Sequence, residues 1–411
     1  MSEGARRLDT LEKKIRDTLK DCHGCGMCSQ AGSHIPFRED GLDPEQVTPT
    51  PKCPSSTKYK FISYSARGRL WLIAAHFYES LPVTEDIIKI SYTCQTCGLC
   101  DELCFISKVP AFRLLREEIA RQELAPALNK KAEENVRRFN NPFGDPFKNR
   151  TSWAEGLDLR KKSDMLYFAG CWSSYKTPDV AKASVAILKA SGYDPTYLAE
   201  KEMCCGNYSL WYGDKKAVRT KAKGILKAIE SSGAKEVVFS CPHCLRTFQQ
   251  DYPLMFGELP FKTKHITEMI AESIDKGRLH FKNKLNLKVT YHDPCRLGRH
   301  LGIYEEPRKV IQALPGIELI EMKRNRQWAW CCGSGASGDV LLAFPEYAHW
   351  VANERLREAS ENANALVTAC AQCYYHFKNT LEFSNMAMEI YDLPILVAQA
   401  IDLAILPVII S

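Results

Sequence analysis

The sequence of 411 residues carries 18 cysteines and a formal net charge of +6 at pH 7. Its length predicts two or three domains with room for buried cores. The positive charge is spread along the chain without a long basic run interleaved with aromatic residues, so the composition argues against nucleic-acid binding and leaves an acidic partner open.

The first predicted element, residues 1–21, is a charged amphipathic helix that lacks the apolar core of a secretory signal. It gives no support for export and favours a cytoplasmic location, where thiols stay reduced and a disulfide framework is disfavoured. Zinc and iron–sulfur clusters then remain as explanations of the cysteine content.

Two cysteine runs with ferredoxin-like spacing follow. The first, CHGCGMC, holds Cys22, Cys25 and Cys28, and the second, CQTCGLCDELC, holds Cys94, Cys97, Cys100 and Cys104. A polar stretch, residues 29–52, separates the first run from Cys53-Pro54. We interpret it as a loop inserted before the fourth cysteine, because proline follows the last cysteine of this pattern. Phe105 stands where the second run would have its proline.

The spacing also predicts how these cysteines are shared. In two-cluster ferredoxins the fourth cysteine of each run ligates the other cluster. The predicted sets are Cys22, Cys25 and Cys28 with Cys104, and Cys94, Cys97 and Cys100 with Cys53. A pair of zinc knots is the alternative, but zinc sites use two C-x-x-C pairs rather than evenly spaced triplets.

The rest of the N-terminal part is expected to be helical. Apolar spacing predicts helices over residues 59–80 and 107–137, and residues 138–162 collect Pro, Asn and Gly like a linker. We therefore expect a helical ferredoxin-like two-cluster domain over residues 1–150, with the linker reaching to about residue 162.

After the linker, strands and helices alternate in two similar rounds, which is typical of parallel α/β layers. Strands are predicted at residues 165–171, 196–200, 236–240, 287–295, 317–322 and 365–370, and helices at 179–192, 214–233, 305–314 and 346–362. The predicted fold class is α+β overall, with two duplicated Rossmann-like α/β domains at residues 163–285 and 286–411.

Each round carries five cysteines in the same order: a lone cysteine, an adjacent pair followed by glycine, and a C-x-x-C. The sets are Cys171, Cys204, Cys205, Cys241 and Cys244, and Cys295, Cys331, Cys332, Cys370 and Cys373. Equivalent positions lie 124 (lone cysteine), 127 (pair) and 129 residues (C-x-x-C) apart. This constant order indicates an internal duplication that retains the cysteines.

Five thiolates exceed the four ligands of a simple zinc site and fit a polynuclear cluster better. The lone cysteine and the C-x-x-C follow predicted strands, and ligands of parallel sheets gather beyond the carboxyl ends of the strands. The two sets could therefore face one another, with ten cysteines around one cleft.

These motifs resemble the fused iron–sulfur subunit of the heterodisulfide reductase family, a D-subunit-like chain that joins B-like and C-like parts. The resemblance extends over nearly the whole chain and includes the stretches YFAGCWSSY, MCCGNYS, CPHCLRTFQQDYP, YHDPCRLGRHLGIYEEPRKVI, CCGSG and AQCYYHF. It implies two cubane 4Fe-4S clusters held by the eight ferredoxin-like cysteines. It also implies one noncubane 4Fe-4S cluster in each complete five-cysteine CCG set, which would make those ten cysteines the catalytic ligands.

The resemblance also implies an activity. Electrons would enter through the cubane clusters one at a time, and the noncubane clusters would face a cleft where a disulfide is reduced or, in reverse, thiols are oxidised. No G-x-G-x-x-G follows a predicted strand, so no flavin is expected on this chain. The flavin or other electron source is expected on a partner, either a flavin-containing or a membrane cytochrome subunit.

Two other functions stay open at this point. The chain could serve purely as an electron relay in a larger complex, as related subunits do in a tungsten-dependent benzoyl-CoA reductase or a sulfite-reduction membrane complex. A zinc-bound structural scaffold is the non-redox alternative, which the ligand count disfavours.

Several polar residues near the cysteines are candidates for hydrogen bonds to cluster sulfur or for contact with an acidic substrate. They are Lys201, Tyr208, His243, His292, Arg296 and His300. For each of them, the competing interpretation is an ordinary solvated or internally satisfied side chain.

The C-terminal residues 391–411 are apolar, but Pro394, Asp402 and Pro407 interrupt them. The run between the two prolines is shorter than the roughly 20 residues that a spanning helix needs, so a buried terminal helix is predicted. Peripheral attachment to the inner face of a membrane through a partner stays open.

Overall fold

The computed structural model describes Cys22, residues 53–104 and residues 107–401. Several predicted features lie outside these residues: the N-terminal helix, Cys25, Cys28, the 29–52 insertion, Phe105 and residues 402–411.

Short helices build the described part that precedes the first sheet. They are Pro54–Tyr59, Ala66–Glu79, Glu85–Tyr92, Val109–Arg121 and Ala127–Phe139, with 3-10 helices at Ile62–Tyr64 and Phe147–Ala154. The prediction of one helix over residues 59–80 was wrong, because the helix begins only at Ala66, where the Ser65 side chain accepts from the Gly68 N–H and caps it. Residues 107–137 likewise form two helices, since Pro126 caps the second and disfavours helix in the residue before it.

The predicted linker is more ordered than its composition suggests. Within residues 138–162, the 3-10 helix Phe147–Ala154 buries Arg150 and Trp153. The Trp153 ring lies 5.6 Å from the Tyr167 ring of the first sheet. This segment therefore packs as part of the first sheet's core rather than as a free connection.

Two parallel sheets form the remainder. The first has the order β1-β2-β3, and the second has the order β5-β4-β6-β7. The strands are β1 Met165–Phe168, β2 Glu236–Phe239, β3 Lys262–His265, β4 Leu287–His292, β5 Ile317–Leu319, β6 Ala365–Thr368 and β7 Glu389–Asp392. The mixed fold of helices and duplicated parallel sheets is as predicted.

The two sheets follow the same winding, with one difference. The strand predicted at residues 196–200 is absent: Thr196 makes two isolated bridges, to Leu166 of β1 and to Arg160, and a 3-10 helix, Ala199–Lys201, follows. Its counterpart in the second sheet is β5, which is itself shorter than the predicted 317–322. The sequence did not predict β3 and β7, whose residues KTKH and EIYD lack an apolar run.

Helices connect and cover these strands. They are Gly170–Tyr175, Pro178–Ala190, Asn207–Tyr212, Lys215–Ser232, Pro242–Arg246, Tyr252–Phe256, Ile266–Asp275, Glu305–Ala313, Asp339–Ala343, Pro345–Ser360, Ala371–Glu382 and Leu393–Ala400, with a π-helical turn at Thr247–Asp251 and 3-10 helices at Arg326–Trp328 and Ala336–Gly338.

The two repeats share a hydrophobic core. One cluster of buried residues contains Tyr167 and Val238 of the first sheet together with Tyr291 and Val367 of the second. The buried helix Leu393–Ala400 packs on Pro178–Ala190 of the first repeat, so the described part of the predicted C-terminal helix is internal. Over the described ranges, no helix has both the length and the apolar character that crossing a bilayer requires.

Candidate metal centres

The first five-cysteine set lies beyond the carboxyl ends of β1 and β2. Cys171 lies three residues after the end of β1, and Cys241 caps the helix Pro242–Arg246 just after β2. All five side chains are buried. The sequence prediction that strand ends bring these cysteines together therefore agrees with their positions in the fold.

The adjacent cysteines of this set point to different partners. The Cys204 thiol contacts Cys171, whereas the Cys205 thiol contacts Cys244. Gly206 follows with φ +86°, and a Cβ there would come within 2.8 Å of the Val218 side chain. The two thiols of the pair thus lie next to each other, and each also approaches a different cysteine of the set.

The second set repeats this arrangement. The Cys331 thiol contacts Cys295, and the Sγ atoms of Cys332 and Cys373 are 3.3 Å apart. Gly333 has φ +98°, and a Cβ there would lie 2.5 Å from the Ala348 carbonyl oxygen. The duplication therefore preserves the close backbone approach as well as the thiols.

The two sets adjoin one another. His243 Nδ1 is 4.0 Å from Cys241 Sγ in its own set, and the same side chain also contacts Cys370 of the other set. Burial lowers the pKa of His243, but the two thiols outweigh that effect and raise it to about 10. The rings of Trp172 and Tyr375, which lie next to the two sets, are 5.5 Å apart.

A buried carboxylate fixes the Cys171 loop. Glu202 accepts the backbone N–H groups of Ala169 and Gly170 at 2.9 and 3.0 Å and pairs with Arg150 at 3.1 Å. Burial raises the pKa of Glu202, and Arg150 opposes that rise. Sequence reasoning missed this residue, because its partners are 32 to 52 positions away and its only signal is its place just before the cysteine pair.

The ferredoxin-like cysteines within the described ranges gather near the N-terminal helices. Cys53, Cys94, Cys97 and Cys100 line one pocket, together with the buried Arg69. Cys22 packs against the same helical core as Cys94 and Cys100, and Cys104 is partly exposed. The set of Cys53 with the second run is thus brought together, whereas two predicted members of the other set lie outside the described chain.

The loop that carries the second run touches the second five-cysteine set. A hydrogen bond with Cys331 lowers the pKa of Cys97 to about 5, against the effect of burial. Arg299 holds the loop in place: its Nε donates to the Cys97 carbonyl at 2.7 Å, and its Nη1 donates to the Ala329 carbonyl at 2.7 Å. The ferredoxin-like part and the second repeat are therefore in direct contact at their cysteines.

Three guanidinium groups surround one indole beside this contact. They belong to Arg296, Arg246 and Arg113, whose Cζ atoms lie 4.6, 5.5 and 5.9 Å from the centre of the Trp211 ring. Burial lowers the pKa of His300 well below its usual value, and the charges of Arg296, Arg246 and Arg299 lower it further, so the imidazole is neutral. The positive charge stabilises thiolates nearby, which a cluster site requires.

The remaining polar candidates divide into two groups. Lys201 is exposed, and the Tyr208 hydroxyl donates to the Asn129 carbonyl at 3.2 Å, so both have an ordinary structural environment. Arg296 is buried and donates to Thr96 Oγ1 at 2.7 Å, where it supports the cysteine loop. A ring nitrogen of His292 and the Sγ atoms of Cys332 and Cys373 lie within 4.8 Å of one another.

These donors fit iron–sulfur clusters. Thiolates are the ligands that clusters prefer, and each five-cysteine set offers them at buried positions, with Cys295 partly buried. Arginines supply compensating positive charge next to Cys97 and Cys295. Two duplicated α/β units with cysteine-lined strand ends, attached to a helical ferredoxin-like part, define the chain as an iron–sulfur oxidoreductase component.

Comparison with known proteins agrees with this class. The family model described as the CCG cysteine-rich domain matches residues 165–249 and 289–378. The D subunit of the dihydromethanophenazine:CoB–CoM heterodisulfide reductase of Methanosarcina acetivorans is 30% identical over 398 residues, which cover 94% of this chain and 96% of that relative. The chain belongs to this family of heterodisulfide reductase D subunits, binds iron–sulfur clusters and acts as a component of a larger oxidoreductase complex.

Two longer relatives share the same region. The EtfAB:quinone oxidoreductase of Syntrophomonas wolfei is 30% identical over 403 residues, which cover 90% of this chain and 56% of that protein. The B subunit of the fumarate reductase (CoM/CoB) of Methanothermobacter marburgensis is 30% identical over 296 residues, which cover 71% of this chain and 57% of that protein. This chain therefore spans a little over half the length of each.

Proposed function

We propose that the chain is the disulfide-reducing subunit of its complex and that it holds four 4Fe-4S clusters. The two cubane clusters have as ligands Cys22, Cys25, Cys28 and Cys104, and Cys94, Cys97, Cys100 and Cys53. The two noncubane clusters have as ligands Cys171, Cys204, Cys205, Cys241 and Cys244, and Cys295, Cys331, Cys332, Cys370 and Cys373. The domains follow the sequence boundaries, 1–150, 163–285 and 286–411.

The observation that carries this proposal is that His243 contacts a cysteine of each five-cysteine set. Reduction of a disulfide breaks one S–S bond, consumes two electrons and two protons, and yields two thiols. The clusters supply the electrons, one from each set. Because the sets adjoin, both sulfur atoms of one disulfide lie within reach of a set, and neither has to leave as a radical.

The substrate class is a disulfide, since the Methanosarcina relative is named as a subunit of a CoB–CoM heterodisulfide reductase. Electrons come from a partner, a flavin-containing or membrane cytochrome subunit. Through that partner, the protein acts in the cytoplasm or at the inner face of a membrane. The contact of Cys97 with Cys331 supports this arrangement, because Cys97 is a proposed cubane ligand and Cys331 is a proposed ligand of the second noncubane cluster.

A second function, electron relay without a bound disulfide, is favoured by a different observation. The Syntrophomonas relative is named for electron transfer from EtfAB to quinone, yet it aligns with 90% of this chain. An electron relay would use the same cysteines as ligands, but no substrate would bind between the two five-cysteine sets.

The first experiment measures metal content. Protein purified without oxygen together with its partners should contain about sixteen irons per chain if all four sites hold four-iron clusters. Iron near zero with stoichiometric zinc contradicts both functions.

The second experiment separates reduction from relay. The protein is oxidised with candidate thiols present and examined by electron paramagnetic resonance. A signal that depends on the thiol, and that broadens when the thiol carries a magnetic sulfur isotope, supports direct reaction at the CCG sets. Identical spectra with and without every thiol tested support the relay.

A further inference from the structure

The two CCG sets differ at one buried position close to the cysteines. Phe168 is the last residue of β1 and His292 is the last residue of β4, and each lies three residues before the lone cysteine of its set. The aromatic neighbours are also equivalent: Phe168 lies edge-on to Phe248 at 5.3 Å, and His292 lies edge-on to Phe377 at 4.9 Å. An apolar ring in the first set is therefore replaced by an imidazole in the second.

The imidazole is held from behind by a buried arginine. Arg355 Nε is 3.2 Å from His292 Nδ1, and Arg355 also pairs with Glu358 at 2.8 Å. The corresponding helix of the first repeat, Lys215–Ser232, buries Val218, Ala222, Ile225, Ile229 and Ser232, none of which is cationic. A buried arginine on this helix therefore accompanies the histidine of the second repeat and not the phenylalanine of the first.

The arginine decides which ring nitrogen carries the proton. A guanidinium group only donates hydrogen bonds, so Nδ1 of His292 must accept and the proton lies on Nε2. Metal-bound histidines show the opposite pattern, because their second nitrogen donates to a carboxylate or carbonyl. His292 is therefore arranged as a donor rather than as an iron ligand.

The available acceptors are sulfur atoms. His292 is 1% exposed, and its Nε2 has no hydrogen-bond partner among the residues that the structure describes. The thiols of Cys332 and Cys373 lie within 4.8 Å of a nitrogen of this ring. A buried N–H without an oxygen or nitrogen acceptor is thus aimed at the ligand sulfurs of the second set.

We propose that His292 donates an N–H···S hydrogen bond to the second CCG set and makes its cluster easier to reduce than the cluster of the first set. A donor stabilises the more negative, reduced state, and hydrogen bonds to sulfur are among the determinants of cluster potential. This inference rests on the proposed presence of a cluster in each set, but not on a disulfide substrate. The favoured set is also the one that Cys97 touches.

The test compares His292→Phe, which copies the first set, with His292→Gln, which keeps an N–H donor. Each variant is purified anaerobically with its clusters and titrated electrochemically, without thiol, while paramagnetic signals are recorded. In His292→Phe, we expect the reduction equilibrium constant of one CCG signal to fall about tenfold, equivalent to 59 mV for one electron. The other CCG signal should stay unchanged, iron content should be retained, and His292→Gln should recover part of the shift.

His349→Phe is the matched control, since His349 lies in the same repeat but bonds to Thr380 at 2.9 Å. Labelling with ¹⁵N-histidine should show weak couplings to the CCG clusters; the one from His292 disappears in His292→Phe and persists in the control, while that from His243 stays in both. Unchanged potentials in His292→Phe overturn the proposal. The proposal is also overturned if the ¹⁵N coupling is as strong as that of an iron ligand, or if His292→Phe loses about four irons. If instead the proposed disulfide reduction is wrong, the CCG signals will not respond to added thiols.

Discussion

A glycine follows each vicinal cysteine pair because the backbone there has no space for a side chain. At Gly333, substitution is opposed both by the positive φ of +98° and by a carbonyl oxygen that would lie 2.5 Å from an added Cβ. The glycine therefore allows the close backbone approach next to Cys331 and Cys332.

Gly333→Ala should destabilise the fold by about 2–4 kcal/mol, combining the left-handed backbone penalty with overpacking. The second set should lose its iron while the first keeps it. Gly233→Ala is the control, because Gly233 has φ +79° but open space around it. Its cost should be about 1–2 kcal/mol. Thermal unfolding and iron analysis provide the measurements, and equal costs for the two variants would contradict the close-approach argument.

Glu133 is another residue whose burial predicts a measurable effect. Burial raises its pKa to about 7, although Arg137 lies 3.4 Å from it. Because the folded state holds the proton more tightly than the unfolded state, stability should fall as pH rises from about 4.5 to 7 and then level off.

Between pH 6 and pH 8, this fall should amount to roughly 1 kcal/mol in the wild type. Glu133→Gln should remove that part of the pH dependence, which unfolding midpoints at both pH values would show. Glu134→Gln, at the exposed neighbouring position, should leave it in place. If the stability of Glu133→Gln changes with pH as that of the wild type does, burial does not raise the pKa of the Glu133 carboxyl group.

At the scale of single residues, the sequence predicted the cysteines but not their supports. Spacing identifies Cys171 and Cys241 because their order recurs in the second repeat. Glu202 and Arg299 act through contacts with distant backbone groups. No local pattern signals such contacts, so only the folded chain reveals them.

Elements were predictable where their periodicity was strong. The buried strands β1, β2 and β6 are short apolar runs, and the sequence located them closely. The third strand of the first sheet, β3, is polar and was missed, because its pairing with β2 rather than its composition makes it a strand. The predicted 196–200 strand is absent for the converse reason: its composition favours a strand, but only Thr196 forms isolated bridges, one to Leu166 of β1 and one to Arg160.

Arg299 joins two elements, the loop of residues 94–104 and the segment before Cys331. Arg299→Lys keeps the charge but loses the planar fork that serves the carbonyls of Cys97, Gln327 and Ala329. We expect a loss of about 2–4 kcal/mol, because buried acceptors lose their donors. The loop should also become more sensitive to proteolysis.

The control for this prediction is Arg326→Lys. Arg326 pairs with Glu305 at the surface at 2.7 Å, so the change should cost less than about 1 kcal/mol. Denaturant unfolding and timed proteolysis would compare the two variants. An Arg299→Lys protein as stable and as resistant as Arg326→Lys would show that the loop is held by other contacts.

The whole molecule is joined where three parts of the chain meet. The Trp172 ring lies 4.8 Å from the Phe143 ring of the segment before the first sheet and 5.5 Å from the Tyr375 ring of the second repeat. It also packs beside Gly338, where a Cβ would lie 3.3 Å from Cζ2. This one side chain therefore couples the preceding segment, the first repeat and the second repeat.

Trp172→Ala should cost about 3–5 kcal/mol, as for other large-to-small changes in a core. Because the removed ring lies between the repeats, calorimetry should show the single transition broadening or splitting, and the magnetic interaction between the two CCG signals should weaken. Trp71→Ala is the matched control, since Trp71 is 51% exposed and should change stability by about 0.5 kcal/mol or less. A Trp172→Ala protein that unfolds in one sharp transition, with the interaction between its CCG signals intact, would show that the shared core alone, rather than this contact, holds the two sets together.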